Sequence, residues 1–269
     1  MRGIESLKNE VSLDHGFNKE FVEIKNSEPK SKENEKIINT NLNSQNNNLH
    51  SEKQEDSLLE TIEVEEYTES VKELFSYAFG QIEHYVNMLI EEGNLRGLIG
   101  PRELSRIWSR HIVNCAAIDE YIPKKGTLAD IGSGAGLPGI VIAIMNPELD
   151  VHLIETMQRR VQWLQDCVEE LGLDNVTIYN NRAQELHKKI SFDCVTARAV
   201  GSIETLSAIG APLIRSGGKM VLLKGDKAGE ELEKAKYTLK KHKLENPQIY
   251  KVKSVMYDEE TTVVEIKKR

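Results

Sequence analysis

Hydrophobic and polar positions change their period along this chain, and the changes mark its elements. Between Val71 and Glu92 the apolar residues Val71, Leu74, Phe75, Ala78, Ile82, Tyr85, Val86, Leu89 and Ile90 fall three and four residues apart, the spacing of one face of an amphipathic helix. Gly93–Asn94 ends that pattern, Gly100–Pro101 punctuates the loop after it, and a second helical stretch is predicted over Pro101–Tyr121. From Gly126 the texture becomes short β-rich runs alternating with helical ones. Strands are expected at Thr127–Ile131, Val151–Glu155, Val176–Tyr179, Phe192–Ala197, Lys219–Lys224, Ile249–Met256 and Thr261–Lys267; helices at Pro138–Met145, Gln158–Leu171, Ile203–Ile209 and Ala228–Lys241. Strand–helix alternation at this spacing predicts an α/β fold with a doubly wound, mostly parallel sheet. The last two strands have no helix between them, so a hairpin there supplies an antiparallel edge. Upstream, Met1 to about Glu60 is rich in Asn, Glu, Lys and Ser and cannot bury enough surface to offset its ordering entropy. The expected organisation is a disordered tail over 1–65, a small N-terminal helical cap over 66–123 and an α/β domain over 124–269.

The 269 residues are 39% hydrophobic, enough for one good core. The net charge of −8 belongs to the tail, because residues 1–70 carry 16 acids and 8 bases and the remainder 27 of each. Global charge therefore neither supports nor excludes a nucleic-acid partner, which depends on where Lys and Arg cluster. Cys115, Cys167 and Cys194 are odd in number and scattered, with no paired spacing for a metal or redox centre, and are expected to be reduced, mostly buried thiols. Met1–Glu10 lacks an apolar core and the longest apolar run, Ile140–Met145, is too short for a bilayer, so a cytoplasmic protein without membrane or metal partners is expected.

The most informative stretch runs Leu128-Ala129-Asp130-Ile131-Gly132-Ser133-Gly134-Ala135-Gly136-Leu137-Pro138-Gly139. A hydrophobic strand enters glycines, which let backbone approach a ligand closely, and leaves into an apolar helix. The spacing alone is ambiguous, since Gly134, Gly136 and Gly139 also satisfy a dinucleotide fingerprint in a shifted register. Three details favour S-adenosyl-L-methionine. Asp130 stands two residues before the first glycine, where a carboxylate suits a cationic amine better than a pyrophosphate. The glycines run Gly132-x-Gly134-x-Gly136, and Glu155 closes the second strand, where an acid accepts ribose hydroxyls; NAD shares those hydroxyls, so Glu155 does not separate the two and Asp130 is the more useful residue.

This loop, read with Asn94-Leu95, Arg110-His111-Ile112, Arg198-Ala199 and Leu223-Lys224-Gly225, resembles the RsmG (GidB) family of bacterial 16S rRNA guanine-N7 methyltransferases over about residues 71–269. The wording around Gly97–Glu103 and Arg110–Cys115 further resembles its actinobacterial branch. The resemblance implies a Rossmann-like class I methyltransferase whose cofactor contacts fall at Gly132, Leu137, Ala183, Gln184 and Arg198, with Glu155 on the ribose. It implies 16S rRNA, free or in the 30S subunit, as partner, and no oligomer is expected. Many members carry an acid where Gln184 stands and an Asp-Ser pair where Asn114-Cys115 stands, and the acidic tail has no counterpart.

Guanine N7 presents an in-plane lone pair, so methylation there needs alignment rather than a general base, consistent with a sequence without a Ser-His-Asp arrangement or paired carboxylates. Arginine can hold guanine O6 or a phosphate and leave N7 free. Arg198 and Lys224, each at the C-terminal end of a strand, are the candidate catalytic and substrate-binding cations, and Arg110 and His111 are further candidates for RNA contact. Met157 and Trp163 are expected to pack. A methyltransferase acting on a small molecule or protein, a non-catalytic RNA-binding module and an NAD-dependent oxidoreductase are the alternative readings.

Overall fold

The computed structural model describes residues 63–269. The expected tail lies outside these residues, apart from its last three.

The seven strands are β1 (Gly126–Ile131), β2 (Leu149–Ile154), β3 (Val176–Tyr179), β4 (Phe192–Arg198), β5 (Ile214–Lys224), β6 (Leu244–Lys253) and β7 (Glu260–Lys268), in one sheet ordered β3-β2-β1-β4-β5-β7-β6. The first five are parallel. β7 inserts antiparallel between β5 and β6, with Val221 opposite Glu265 and Tyr250 opposite Val263. The expected antiparallel hairpin is therefore present, with its second strand placed inside its first. Strand order reverses direction at β1, which is flanked by β2 on one side and β4 on the other, and the crevice beyond their carboxyl ends is where such sheets take ligands.

The strands lack simple apolar–polar alternation because both sheet faces are covered. On one face, Leu128, Val151 and Leu153 pack beneath α4 (Gly139–Met145) and α5 (Gln158–Glu170). On the other, Ala129, Ile131, Val195 and Leu222 pack against α6 (Ile203–Gly210) and α7 (Ala228–Lys241). The two-residue period of a strand sends Asp130 to the same face as Leu128, under the start of α4. All three cysteines are buried and free; burial pushes the Cys115 thiol up to about 11 and Cys194 up to about 12.

The helical cap joins the first of these faces, and its apolar residues and those of α4 and the sheet form one continuous buried cluster. The predicted first cap helix is broken. α1 (Glu69–Phe75) ends at Ser76, whose φ of 46° is left-handed, and after one tight turn α2 (Phe79–Glu92) resumes. Val71, Phe75, Ala78, Ile82 and Tyr85 stay buried across the break at spacings a single helix would also show, so periodicity could not reveal it. The second stretch is helical but irregular: a 3₁₀ segment over Pro101–Arg106 widens into a π-helical segment over Ile107–Val113 before α3 (Asn114–Ala116), and a turn at Ala117–Ile118 precedes a last 3₁₀ segment over Asp119–Tyr121. Widened helical turns of this sort recur at functional sites. Among the described residues no helix is long and apolar enough to cross a membrane.

Candidate functional site

The turn between β1 and α4 is shaped by glycines and pinned from outside. Gly132, Gly134 and Gly136 have φ of 71°, 58° and 102°, values that side-chain-bearing residues rarely adopt. A Cβ on Gly139 would strike the Leu153 side chain and stand 2.7 Å from Asp130 Oδ2, so this glycine lets α4 press onto the sheet. A Cβ on Gly134 would meet nothing closer than 3.7 Å: here the missing side chain leaves open space. The Ala135 carbonyl accepts two long-range hydrogen bonds, from the Tyr85 hydroxyl of α2 at 2.7 Å and from the Trp163 indole of α5 at 2.8 Å. The cap and α5 thus clamp the back of the loop.

Glu155, directly after β2, is buried to 4% exposure and ties the loop to the next helix. Its Oε2 accepts the Gly134 N–H at 3.0 Å, and its Oε1 accepts the N–H groups of Thr156 at 2.7 Å and Met157 at 2.9 Å. A carboxylate has about four acceptor sites. Three are taken by backbone, which leaves one on Oε2, where the Arg160 guanidinium stands 3.8 Å away, too far for a hydrogen bond.

Asp130 performs the equivalent task beneath the loop. Its Oδ2 accepts the Gly139 N–H at 3.0 Å, while Oδ1 is buried without a partner. Burial pushes its pKa up to about 7, the Gly139 N–H pulling the other way.

Around this turn lies a crevice of about 510 Å³, within the range of small-molecule sites. Of the residues singled out from the sequence, Gly132, Gly134, Leu137, Glu155 and Arg198 line it together. Met157, expected to pack, is instead a half-exposed apolar side chain in its wall. Trp163 is buried as expected, with the added hydrogen bond to the loop. The crevice also takes its wall from the cap: Leu98, Ile99, Gly100 and Glu103 contribute, as do Arg160 and the stretch Ala199–Val200. The cap loop is held there by Arg96, which pairs with Asp166 at 2.6 Å and lies over the Trp163 ring.

The remaining predicted residues are placed differently. Asp130 and Gly136 lie behind the loop rather than among the lining residues. Ala183, buried, and Gln184, exposed, open a short turn after β3 and do not line the crevice either. Lys224 is not a free rim cation: its Nζ donates to the Gly201 carbonyl at 2.8 Å and pairs with Glu231 of α7 at 2.8 Å. The strand end places it near the rim, but a carboxylate from the following helix consumes its charge. The Arg110 side chain is exposed, with Nε 3.9 Å from Glu103. His111 lines the crevice, yet its ring faces inward between Arg198 and Glu103 rather than outward to RNA. A larger groove, about 780 Å³, lies between α7 and β6 and shares no residue with this site.

The parts suit a nucleoside-bearing donor. Open backbone at Gly134, an acceptor site on a buried carboxylate and apolar walls from Leu98, Ile99, Leu137 and Met157 suit a ribose and a flat base. Residues 79–261 match the family model for GidB, rRNA small subunit methyltransferase G. The chain belongs to this family. Its members are S-adenosylmethionine-dependent rRNA methyltransferases, the class that the sequence resemblance implies. The ribosomal RNA small subunit methyltransferase G of Thermobifida fusca (strain YX) is 44% identical over 199 residues, covering 74% of this chain and 84% of that protein. Its counterpart in Pseudarthrobacter chlorophenolicus is 43% identical over 73% of this chain and 91% of that protein. Most such relatives are actinobacterial, in line with the branch suggested by the cap residues. Among solved structures, M. jannaschii TYW2 in complex with AdoMet aligns with a TM-score of 0.47 and 17% identity, over 60% of this chain and 76% of that chain.

Proposed function

We propose that this protein transfers a methyl group to N7 of a guanine in a conserved loop of 16S rRNA, free or in the 30S subunit, in the cytoplasm. When bound, S-adenosylmethionine supplies a sulfonium-linked methyl, which guanine N7 takes with its own lone pair as the carbon–sulfur bond breaks, so no proton has to leave first. Glu155 Oε2 has the acceptor site for a ribose hydroxyl, and Met157 and Leu137 offer apolar surface to the base. The backbone of Gly132–Gly134 forms the near wall. Arg198, at the end of β4 on the opposite side, presents guanidinium donors suited to guanine O6 or a backbone phosphate. Positioning of this kind lowers a barrier by up to about 7–11 kcal/mol, which is why the site can work without a general base.

The observation that carries this reading is the crevice itself: a buried carboxylate and an open glycine backbone on one wall, an arginine on the other. The test is to map N7-methylguanosine in 16S rRNA from cells lacking this protein. The account expects one mark to disappear and to return on incubation of that rRNA, or of 30S subunits containing it, with the purified protein and S-adenosylmethionine. An unchanged pattern of marks contradicts it.

A further inference from the structure

Arg198 does not stand alone in the crevice wall. Its Nη1 donates to the Arg110 carbonyl at 3.1 Å and its Nη2 meets His111 Nδ1 at 2.8 Å. On the far side of the same ring, His111 Nε2 lies 2.9 Å from Glu103 Oε2. The proton inventory then has one solution. A guanidinium only donates, so Nδ1 must carry a lone pair, the single ring proton must be on Nε2, and Glu103 must accept it. His111 is neutral in this arrangement. Burial, and then the neighbouring Arg198, hold its pKa below the ordinary value of 6.5, with Glu103 pulling the other way.

The guanidinium is thereby gripped at two of its nitrogens by the cap, from carbonyl and ring acceptors at the end of the π-helical segment. Its remaining N–H groups are left for a ligand. Protonating His111 would turn Nδ1 into a donor and set a second cation against the guanidinium at hydrogen-bond distance, so this grip exists only while the ring is neutral. Glu103 from the 3₁₀ segment, Arg198 from β4 and Arg110 from the ring's own segment are the charged groups that bear on it.

We propose that Glu103 and His111 are positioning residues for methyl transfer: they form a relay from the cap that holds Arg198 in its working orientation. This rests on the assignment of Arg198 to the substrate side of the crevice. It gives the cap a role in the chemistry, and it makes His111 a support for the arginine instead of an RNA contact.

The test compares the kcat–pH profile of methyl transfer to 30S subunits from cells lacking the protein, for wild type, His111→Phe, His111→Asn, Glu103→Gln and Arg198→Ala. His111→Phe keeps a ring but loses both nitrogens, and should lower kcat by about 100-fold, the cost of misplacing a positioned group by about 1 Å. The amide oxygen of His111→Asn stands where Nδ1 stands. It should restore kcat to within about threefold of wild type and remove the acid limb expected of wild type, which lies below the ordinary histidine range because burial and Arg198 hold the ring neutral. Glu103 is partly exposed, so Glu103→Gln tests the relay without a buried change. Because Glu103 raises the pKa of His111, its loss should move the acid limb to lower pH. The melting temperature, expected to move by only a few degrees in Glu103→Gln and His111→Asn, separates positioning from a damaged fold. If Arg198→Ala is inactive while His111→Phe keeps wild-type kcat, or Glu103→Gln keeps an unmoved acid limb, the relay is refuted and the site reading stands. If Arg198→Ala itself turns over normally, the site reading falls first.

Discussion

Replacing Asp130 with asparagine probes how the floor of the crevice is held. The carboxyl is fully buried, hydrogen-bonded through one oxygen to the Gly139 N–H and unpartnered at the other. Burial raises it from 3.8 to about 7. The folded protein therefore keeps a proton that the unfolded chain has already released, so stability falls as pH rises from about 4 to about 7 and is level above that. A shift of about 3 units corresponds to about 4 kcal/mol, fully lost above about pH 7. Asparagine keeps an acceptor for Gly139 and cannot ionise. Its amide adds a buried donor whose cost is independent of pH, so only the pH dependence of the difference reports on the carboxylate. Between about pH 5 and pH 8 the stability of Asp130→Asn relative to wild type should rise by about 2–3 kcal/mol. Urea unfolding of both proteins across this range measures it. A difference that does not change with pH would show that the carboxylate ionises without penalty and would refute the reasoning.

Three further outcomes follow from the same geometry. Gly134→Val puts a β-branched side chain at a left-handed φ of 58° in the open part of the crevice; it should cost about 1–2 kcal/mol in stability and abolish S-adenosylmethionine binding, and unchanged affinity by calorimetry would remove the loop from the site. Tyr85→Phe removes one of two donors to the Ala135 carbonyl and should cost about 1 kcal/mol, but combined with Trp163→Phe it leaves a buried carbonyl with neither. The double variant should then lose about 1 kcal/mol more than the sum of the singles, and strict additivity in chemical denaturation would contradict the clamp. Arg198→Ala should lower methylation roughly 100- to 1,000-fold, the range for removing one preorganised donor, while the melting temperature moves by only a few degrees. Wild-type turnover would take Arg198 out of the site.

What could be read from the sequence was what local backbone demands. A turn needing positive φ at three alternate residues and close helix–strand contact writes itself as Gly132, Gly134, Gly136 and Gly139, and strand ends at a switch point mark Glu155 and Arg198 by position alone. The doubly wound parallel sheet followed from the alternation of elements, and the antiparallel end from the missing helix; the placing of β7 inside β6 did not. What could not be read depends on partners brought from afar. A strand-end lysine looks free until Glu231 arrives from α7, and His111 looks like an RNA contact until Arg198 and Glu103 meet on its two nitrogens. The crevice wall from Leu98 to Glu103 has no periodic signature, because it is placed by Arg96, Asp166 and the Trp163 ring. The hydroxyl of Tyr85 and the indole of Trp163 were legible as apolar positions on their helices; their polar ends serve a carbonyl that only the folded loop presents.

The most direct measurement is a crystal structure of the protein with S-adenosylhomocysteine. The account predicts the nucleoside in the crevice beyond β1 and β2, with a ribose hydroxyl within hydrogen-bond distance of Glu155 Oε2 and the sulfur on the side of Arg198. A ligand seated elsewhere, or a Glu155 carboxylate that touches only its own backbone partners, would contradict it.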